Sequence, residues 1–249
     1  MWKWIQAFAS PKNFYRISGK IILWFLYPFI IITIVGLYLG LVVTPADYQQ
    51  GDSYRIMYIH VPAAWMGMFI YVVMAISGAI GLIWQIKLAN VVAKVSAPIG
   101  ASFTFITLVT GAVWGKPMWG TWWVWDGRLT SMLILLFLYL AYMSLNNAFD
   151  NPKTAAKASS ILAIVGLVNI PIIHYSVIWW NTLHQGPSIS SIEKISQPAI
   201  HADMLIPLIL MGIAFKLLYG ALMLMRARDE VLTQEQNSSW VKKIIMEND

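Results

Sequence analysis

Six long apolar stretches, separated by short polar breaks, set the rhythm of the chain. They cover residues 21–43, 63–86, 95–113, 129–145, 159–173 and 204–225. A helix needs about 20 apolar residues to cross the hydrocarbon of a bilayer, so each stretch predicts a transmembrane helix. The fifth is the shortest and stays apolar toward Trp180. Pro171 predicts a kink in it, which membrane helices tolerate when neighbours satisfy the freed carbonyl. The pattern predicts an all-α integral membrane protein, a single membrane domain over residues 1–249 built as a six-helix bundle. The first stretch is too long for the apolar core of a secretory signal, and no small-residue cleavage site follows it.

Composition agrees. The chain is 59% hydrophobic and 11% charged, against about 25% charged in soluble domains. A charge at the bilayer centre costs several kcal/mol. The net charge of +6 raises the possibility of a nucleic-acid partner, but the basic residues sit at the ends of the apolar stretches, where they set topology. Lys3, Lys12, Arg16, Lys20, Lys87, Lys94, Lys153, Lys157, Arg226, Arg228, Lys242 and Lys243 fall on one set of breaks, twelve in all. Only Arg55, Lys116, Arg128 and Lys194 fall on the alternating set. The positive-inside rule puts the first set, and both termini, in the cytoplasm. Outward segments then run over 44–62, 114–128 and 174–203. Residues 87–94 and 146–157 read as plain inward connectors, and 229–249 as a polar cytoplasmic tail. There is no cysteine, which excludes disulfides, thiolate metal sites, iron–sulfur clusters and haem attached through CxxCH.

The unusual chemistry lies outward. Five tryptophans, Trp114, Trp119, Trp122, Trp123 and Trp125, fall within residues 114–125. An interfacial aromatic belt accounts for one or two tryptophans per helix end, not for this density. Gly115, Pro117, Gly120 and Gly127 predict irregular backbone, so the segment reads as a folded aromatic platform at the membrane surface. Such a platform suits a large, flat, apolar ligand with a polar edge. Asp126 and Arg128 close it, either as an exposed pair or helix cap, or with Arg128 neutralising a ligand carboxylate.

All four histidines, His60, His174, His184 and His201, are outward. His60 precedes Pro62, and His184 lies in Leu183-His184-Gln185-Gly186-Pro187, so both read as turn sites at helix margins. Two neutral imidazoles facing one another can fill both axial positions of a haem iron. Zinc wants three or four ligands, and Asp47, Asp52, Asp126, Glu193 and Asp203 stand at no recognisable metal spacing. Neither HExxH nor a phosphate-binding GxxxxGK[ST] loop is present.

Trp114-Gly115, Trp119-Gly120, Trp122-Trp123, Trp125-Asp126 and Arg128-Leu129-Thr130 resemble the tryptophan-rich WWD signature of the haem-handling proteins of cytochrome c maturation. Tyr58-Ile59-His60-Val61-Pro62-Ala63-Ala64-Trp65 and Trp179-Trp180-Asn181-Thr182-Leu183-His184-Gln185-Gly186 resemble the two His-bearing segments of that family's smallest branch, the CcmC-type haem exporters. Length, span number and orientation match, so the resemblance covers essentially the whole chain. Larger relatives carry more spans and further histidines.

The resemblance implies a multi-pass protein of the bacterial inner membrane that holds haem b, iron protoporphyrin IX, non-covalently at the periplasmic face. His60 and His184 would be its axial ligands. Residues 114–128, with Trp114, Trp119, Trp122, Trp123, Trp125, Asp126 and Arg128, would support the macrocycle and the partner. It also implies hand-over to CcmE, a haem chaperone that bonds haem covalently through its own histidine, within an assembly containing the ABC-type complex CcmAB and the small membrane protein CcmD. His174 and His201 match no ligand position and read as structural. No acid or base has a catalytic context, so a haem-presenting carrier is expected rather than an enzyme. A b-type electron-transfer subunit would ligate haem from within its spans, which hold no histidine except at the outer margin of the fifth. A solute transporter needs polar groups near the midplane, where Thr, Ser, Gly and Lys216 stand. Reporter fusions after Lys94, Arg128 and Lys157 test the topology: an external signal is expected only at Arg128, and a cytoplasmic one there would remove the surface platform.

Overall fold

Five of the six apolar stretches fold as one continuous helical run longer than the stretch that marks it, and the fifth folds as two helices. The computed structural model describes residues 10–180, 182–184 and 200–246, and these contain no β-strand. Helix α1 is Pro11–Tyr38, ending in a π-turn at Leu39–Val43. A 3₁₀ turn, Asp52–Ile56, winds directly into α2, Met57–Trp84. Then come α3, Lys87–Trp119, and α4, Gly127–Asn147. The fifth span is split into α5, Pro152–Gly166, and α6, Asn169–Trp179. Helix α7 is Ala202–Gln234 and α8 is Ser239–Met246. Among the described residues six helical stretches are long and apolar enough to span a membrane, and the protein is a multi-pass membrane protein.

Several local expectations change. Residues 87–94 are helical, the chain turning only at Gln85 and Ile86. The fifth span breaks at Leu167–Val168, just ahead of Pro171. Pro171 has no N–H to offer the carbonyl four residues before it, and Ile170 N donates to that Leu167 oxygen instead, at 3.1 Å. The tail at 229 does not trail away. Helix α7 runs on to Gln234, where Glu230 and Glu235 pair with Lys94 (2.7 Å) and Lys87 (3.4 Å), and α8 buries Val241. Lys3, Lys194 and Glu193, the end of the tail at 247–249 and most of the third outward segment lie outside the described residues.

Lipid tails are as apolar as leucine, so helices in a bilayer associate through close packing and buried polar links. The core fits that rule. Helices α2 and α3 form the closest pair, with α4, α5 and α7 against them. Ala63, Ala75, Ala93, Ala97 and Ala163 are buried between them. Tyr139 donates to Gly67 O at 2.7 Å, and Asn169 to Ser131 O at 2.9 Å. Ser96 and Tyr219 share a bond of 2.9 Å. Helix α1 is peripheral. It packs mainly on α7, and only 11% of its most apolar window is buried, against 61% for α3.

The two ends of the bundle differ. At one end Tyr15, Lys87, Lys94, Arg228, Glu230 and Trp240 interlock, the Arg228 guanidinium lying 3.8 Å over the Tyr15 ring. This brings the start of α1 and the end of α7 to the same side. At the other end stand the histidines and the tryptophan-rich segment.

Candidate functional site

The tryptophan-rich segment is helical at its two ends and irregular between them, where Trp122, Trp123 and Trp125 stand. Helix α3 continues through Trp114 to Trp119, because Pro117 withholds a single backbone donor and the following carbonyls are still taken. Gly120 ends it in the left-handed conformation, φ 75°, donating to Lys116 O at 3.0 Å; this is the usual role of a glycine just past a helix C-terminus. Only residues 120–126 are non-helical before Asp126 caps α4. His60 is likewise in the first turns of α2, not in a loop. The turn that feeds it is tied by side chains. Arg55 donates to Gly40 O and Thr44 O, and Tyr54 to Pro45 O.

These elements wall a cleft of about 630 Å³, part of it open to solvent. His60, Trp119, Trp122, Trp123, Arg128 and His184 line it, with Met68, Leu108, Met132 and Ile173 as its apolar floor. Trp114 and Asp126 stand behind the two histidines rather than in the wall. The Trp114 ring meets His60 edge-on at 5.7 Å, and its Nε1 donates to Gln50 Oε1 at 3.1 Å. Trp125 is 75% exposed and lies outside, edge-on to Trp123 at 5.4 Å. His174 is exposed on α6 against Tyr175, and His201 caps the start of α7; neither lines the cleft.

Both imidazoles are held by their Nδ1. Thr110 Oγ1 donates its proton to Ile106 O at 2.7 Å, so at 3.0 Å from His60 Nδ1 it accepts. His60 therefore carries its proton on Nδ1 and keeps a lone pair on Nε2. Gly111 makes room for the ring, since a Cβ there would stand 2.9 Å from His60 Cε1.

His184 is fixed from the other side. Thr182 donates to Asp126 Oδ2 at 2.5 Å and accepts from His184 N at 3.1 Å. His184 Nδ1 lies 3.2 Å from Thr182 Oγ1 and 3.4 Å from Asp126 Oδ2. With the Thr182 proton committed, Nδ1 is again the donor, and Nε2 has no partner among the described residues. Burial holds the His184 pKa below its ordinary value and Arg128 pushes it the same way, with Asp126 opposing both. The ring is thus neutral, and its contact with Asp126 is a hydrogen bond rather than an ion pair. Trp119 packs 4.9 Å from it.

Two donors in the cleft wall lack partners. Among the described residues the Arg128 guanidinium makes no hydrogen bond or ion pair, the residue's only bond being the one its backbone oxygen accepts from Ser131, and the buried Trp123 Nε1 has no acceptor. An unmatched guanidinium and an unmatched indole N–H in one cleft suit a carboxylate. The residues that the sequence reading missed are Thr110, Gly111 and Thr182, which touch the histidines and carry no motif of their own. Replacing Gly111 by Ala should cost about 1–3 kcal/mol by overpacking, read as a lower melting temperature in detergent. His60→Ala should remove most of that cost. Equal costs in both backgrounds would show that the ring does not depend on the glycine.

The family model for heme exporter protein C matches residues 4–242. The chain is 52% identical over 244 residues to a heme exporter protein C of Haemophilus influenzae, covering 98% of each chain. It is 50% identical over 246 residues to that of Escherichia coli, covering 99% of this chain and 98% of the other. A putative cytochrome c biosynthesis ccmC-like mitochondrial protein of Marchantia polymorpha is 48% identical over 210 residues, 84% of this chain and 85% of its own.

Proposed function

Because the chain belongs to the heme exporter protein C family, we propose that it carries haem b non-covalently, as cargo, with the iron between His60 and His184. The observation that carries this reading is the pair of neutral imidazoles at one cleft, each tied through Nδ1 and each keeping a lone pair on Nε2. Metal-bound histidines characteristically give their other ring nitrogen to a carboxylate, carbonyl or water, fixing tautomer and orientation. The fit extends beyond the iron. The cleft has an apolar lining with a few convergent polar groups, the usual make-up of a small-molecule site. Trp119, Trp122 and Trp123 supply flat apolar surface, and Arg128 with Trp123 supplies donors for a propionate.

In this reading the protein binds and orients and does no chemistry of its own. Trp122 and Trp125 are exposed and offer a surface where a chaperone of the CcmE kind can reach the macrocycle edge. The site faces the periplasm, with both termini cytoplasmic in the bacterial inner membrane. That orientation rests on the basic residues gathered at the opposite end of the bundle. CcmAB and CcmD are the expected companions.

The test is the absorption spectrum of the purified protein, which should show six-coordinate, low-spin haem. His60→Ala or His184→Ala should lower haem retention or change the spin state, and Arg128→Ala should weaken retention without changing the spin state. His174→Ala and His201→Ala should do neither, and a decisive effect of that pair would break the assignment. Since His184 is already neutral below its ordinary value, about 6.5, affinity should be level above that pH and fall as acid protonates the ring.

The aromatic segment is expected to act separately from the axial ligands. Iron–imidazole bonds fix the centre of the macrocycle, whereas tryptophan contacts fix its tilt. One flat aromatic contact is worth about 1–3 kcal/mol, by analogy with bases stacked on aromatics. Substituting Trp119, Trp122 or Trp125 should therefore lower covalent haem on the chaperone more than haem on this protein, both measured in the same membranes. Proportional loss of the two would leave no separate presenting role.

A further inference from the structure

We infer that the two imidazoles are unequal ligands: Asp126 and Thr182 are positioning residues that make His184 the strong, retained ligand of the haem cargo, while His60, backed only by uncharged groups, the Thr110 hydroxyl and the Thr107 backbone, is the ligand that leaves first. This rests on the bis-histidine reading above and goes further, to the order of events at release.

The asymmetry lies in what stands behind each ring. Behind His60 is a neutral hydroxyl whose own proton is spent on Ile106 O. Behind His184 is a buried carboxylate, Asp126, whose Oδ1 accepts from Leu129 N at 2.7 Å and whose Oδ2 accepts from Thr182 at 2.5 Å. A carboxylate drawing on Nδ1–H gives the imidazole partial anionic character and raises its basicity at Nε2. That strengthens donation to ferric iron, and hydrogen bonding behind an axial ligand is a recognised lever on haem potential. A hydroxyl with no charge does this far less.

The geometry points the same way. His60 is built into α2, and its ring is wedged by Gly111 and Trp114 from α3. It cannot follow a cargo that moves outward. His184 stands outside the helices, in residues 182–184, tied to Asp126 at the head of α4. Release then begins with the iron–His60 bond. Its electron pair returns to Nε2, the iron becomes five-coordinate, and its oxidation state is unchanged.

The experiment uses full-length protein in nanodiscs, loaded with haem, comparing wild type with Asp126→Asn, Asp126→Ser and Thr110→Val. Asn and Ser both retain an N-cap acceptor for α4, so the charge is removed while the helix start is kept. Both Asp126 variants should raise the midpoint potential and speed haem loss by about tenfold to a hundredfold. Thr110→Val should leave the potential close to wild type. In the ferrous carbonyl complex, carbon monoxide replaces the weaker ligand, so the Fe–C and C–O stretches report on the one that stays. They should shift in the Asp126 variants and not in Thr110→Val. Shifts in Thr110→Val alone would reverse the order and overturn the inference, as would an unmoved potential in both Asp126 variants. A wild type that is not low-spin and six-coordinate would defeat the bis-histidine reading itself, a different failure from either of these.

Discussion

A carboxylate buried in an apolar bundle must have its oxygens matched, because an unpaired charge there costs several kcal/mol. Asp126 meets that demand with three donors drawn from three places: the backbone of α4, the hydroxyl of Thr182 and the ring of His184. One residue thereby begins the fourth span and anchors the segment that follows α6. The non-helical stretch 120–126 is held at its far end by the same group. Remove the carboxylate, and the start of α4, the orientation of His184 and the position of Trp119 against that ring lose a common support.

The other half of the cleft is built by packing instead of capping. His60 takes its position from the contact between α2 and α3, the closest pair in the bundle. Thr110 and Gly111 are consecutive residues of α3. One supplies an acceptor, and the other supplies the space where a side chain would collide. Hydrophobic burial cannot drive helices together in lipid, so such small-residue contacts and internal hydrogen bonds carry both the association and the placement of the ligand. Stability and site geometry share the same contacts in this half.

The sequence announced the spans because the bilayer imposes their length and apolarity on any chain that crosses it. It also announced the ingredients of the site: two histidines, an arginine and a dense aromatic segment. What it misjudged was local continuity. Pro62, Gly115 and Pro117 look like breakers, yet α2 and α3 run through them, since each proline frees only one backbone carbonyl of the helix that holds it. The roles of Thr110 and Thr182 were out of reach. A threonine in an apolar run is common, and its meaning depends on which histidine the fold sets across from it, 50 residues away for Thr110. Asp126 was legible as a helix cap, but its hold on His184 depends on a contact 58 residues distant.

The division of labour within the cleft follows from these two ways of building it. A ligand embedded in a helix pair is fixed, since moving it would open the packing of the bundle. A ligand tied to a helix terminus through a carboxylate and a hydroxyl can shift by exchanging hydrogen bonds, each worth about 1.5–3 kcal/mol when a charge takes part. A carrier has to satisfy opposed demands, firm retention and timely surrender. Two identical, equally buried ligands would serve only the first. One rigid wall and one polar hinge, meeting over a tryptophan surface open on its outer side at Trp122 and Trp125, allow the cargo to be gripped from the bundle and given up toward the surface.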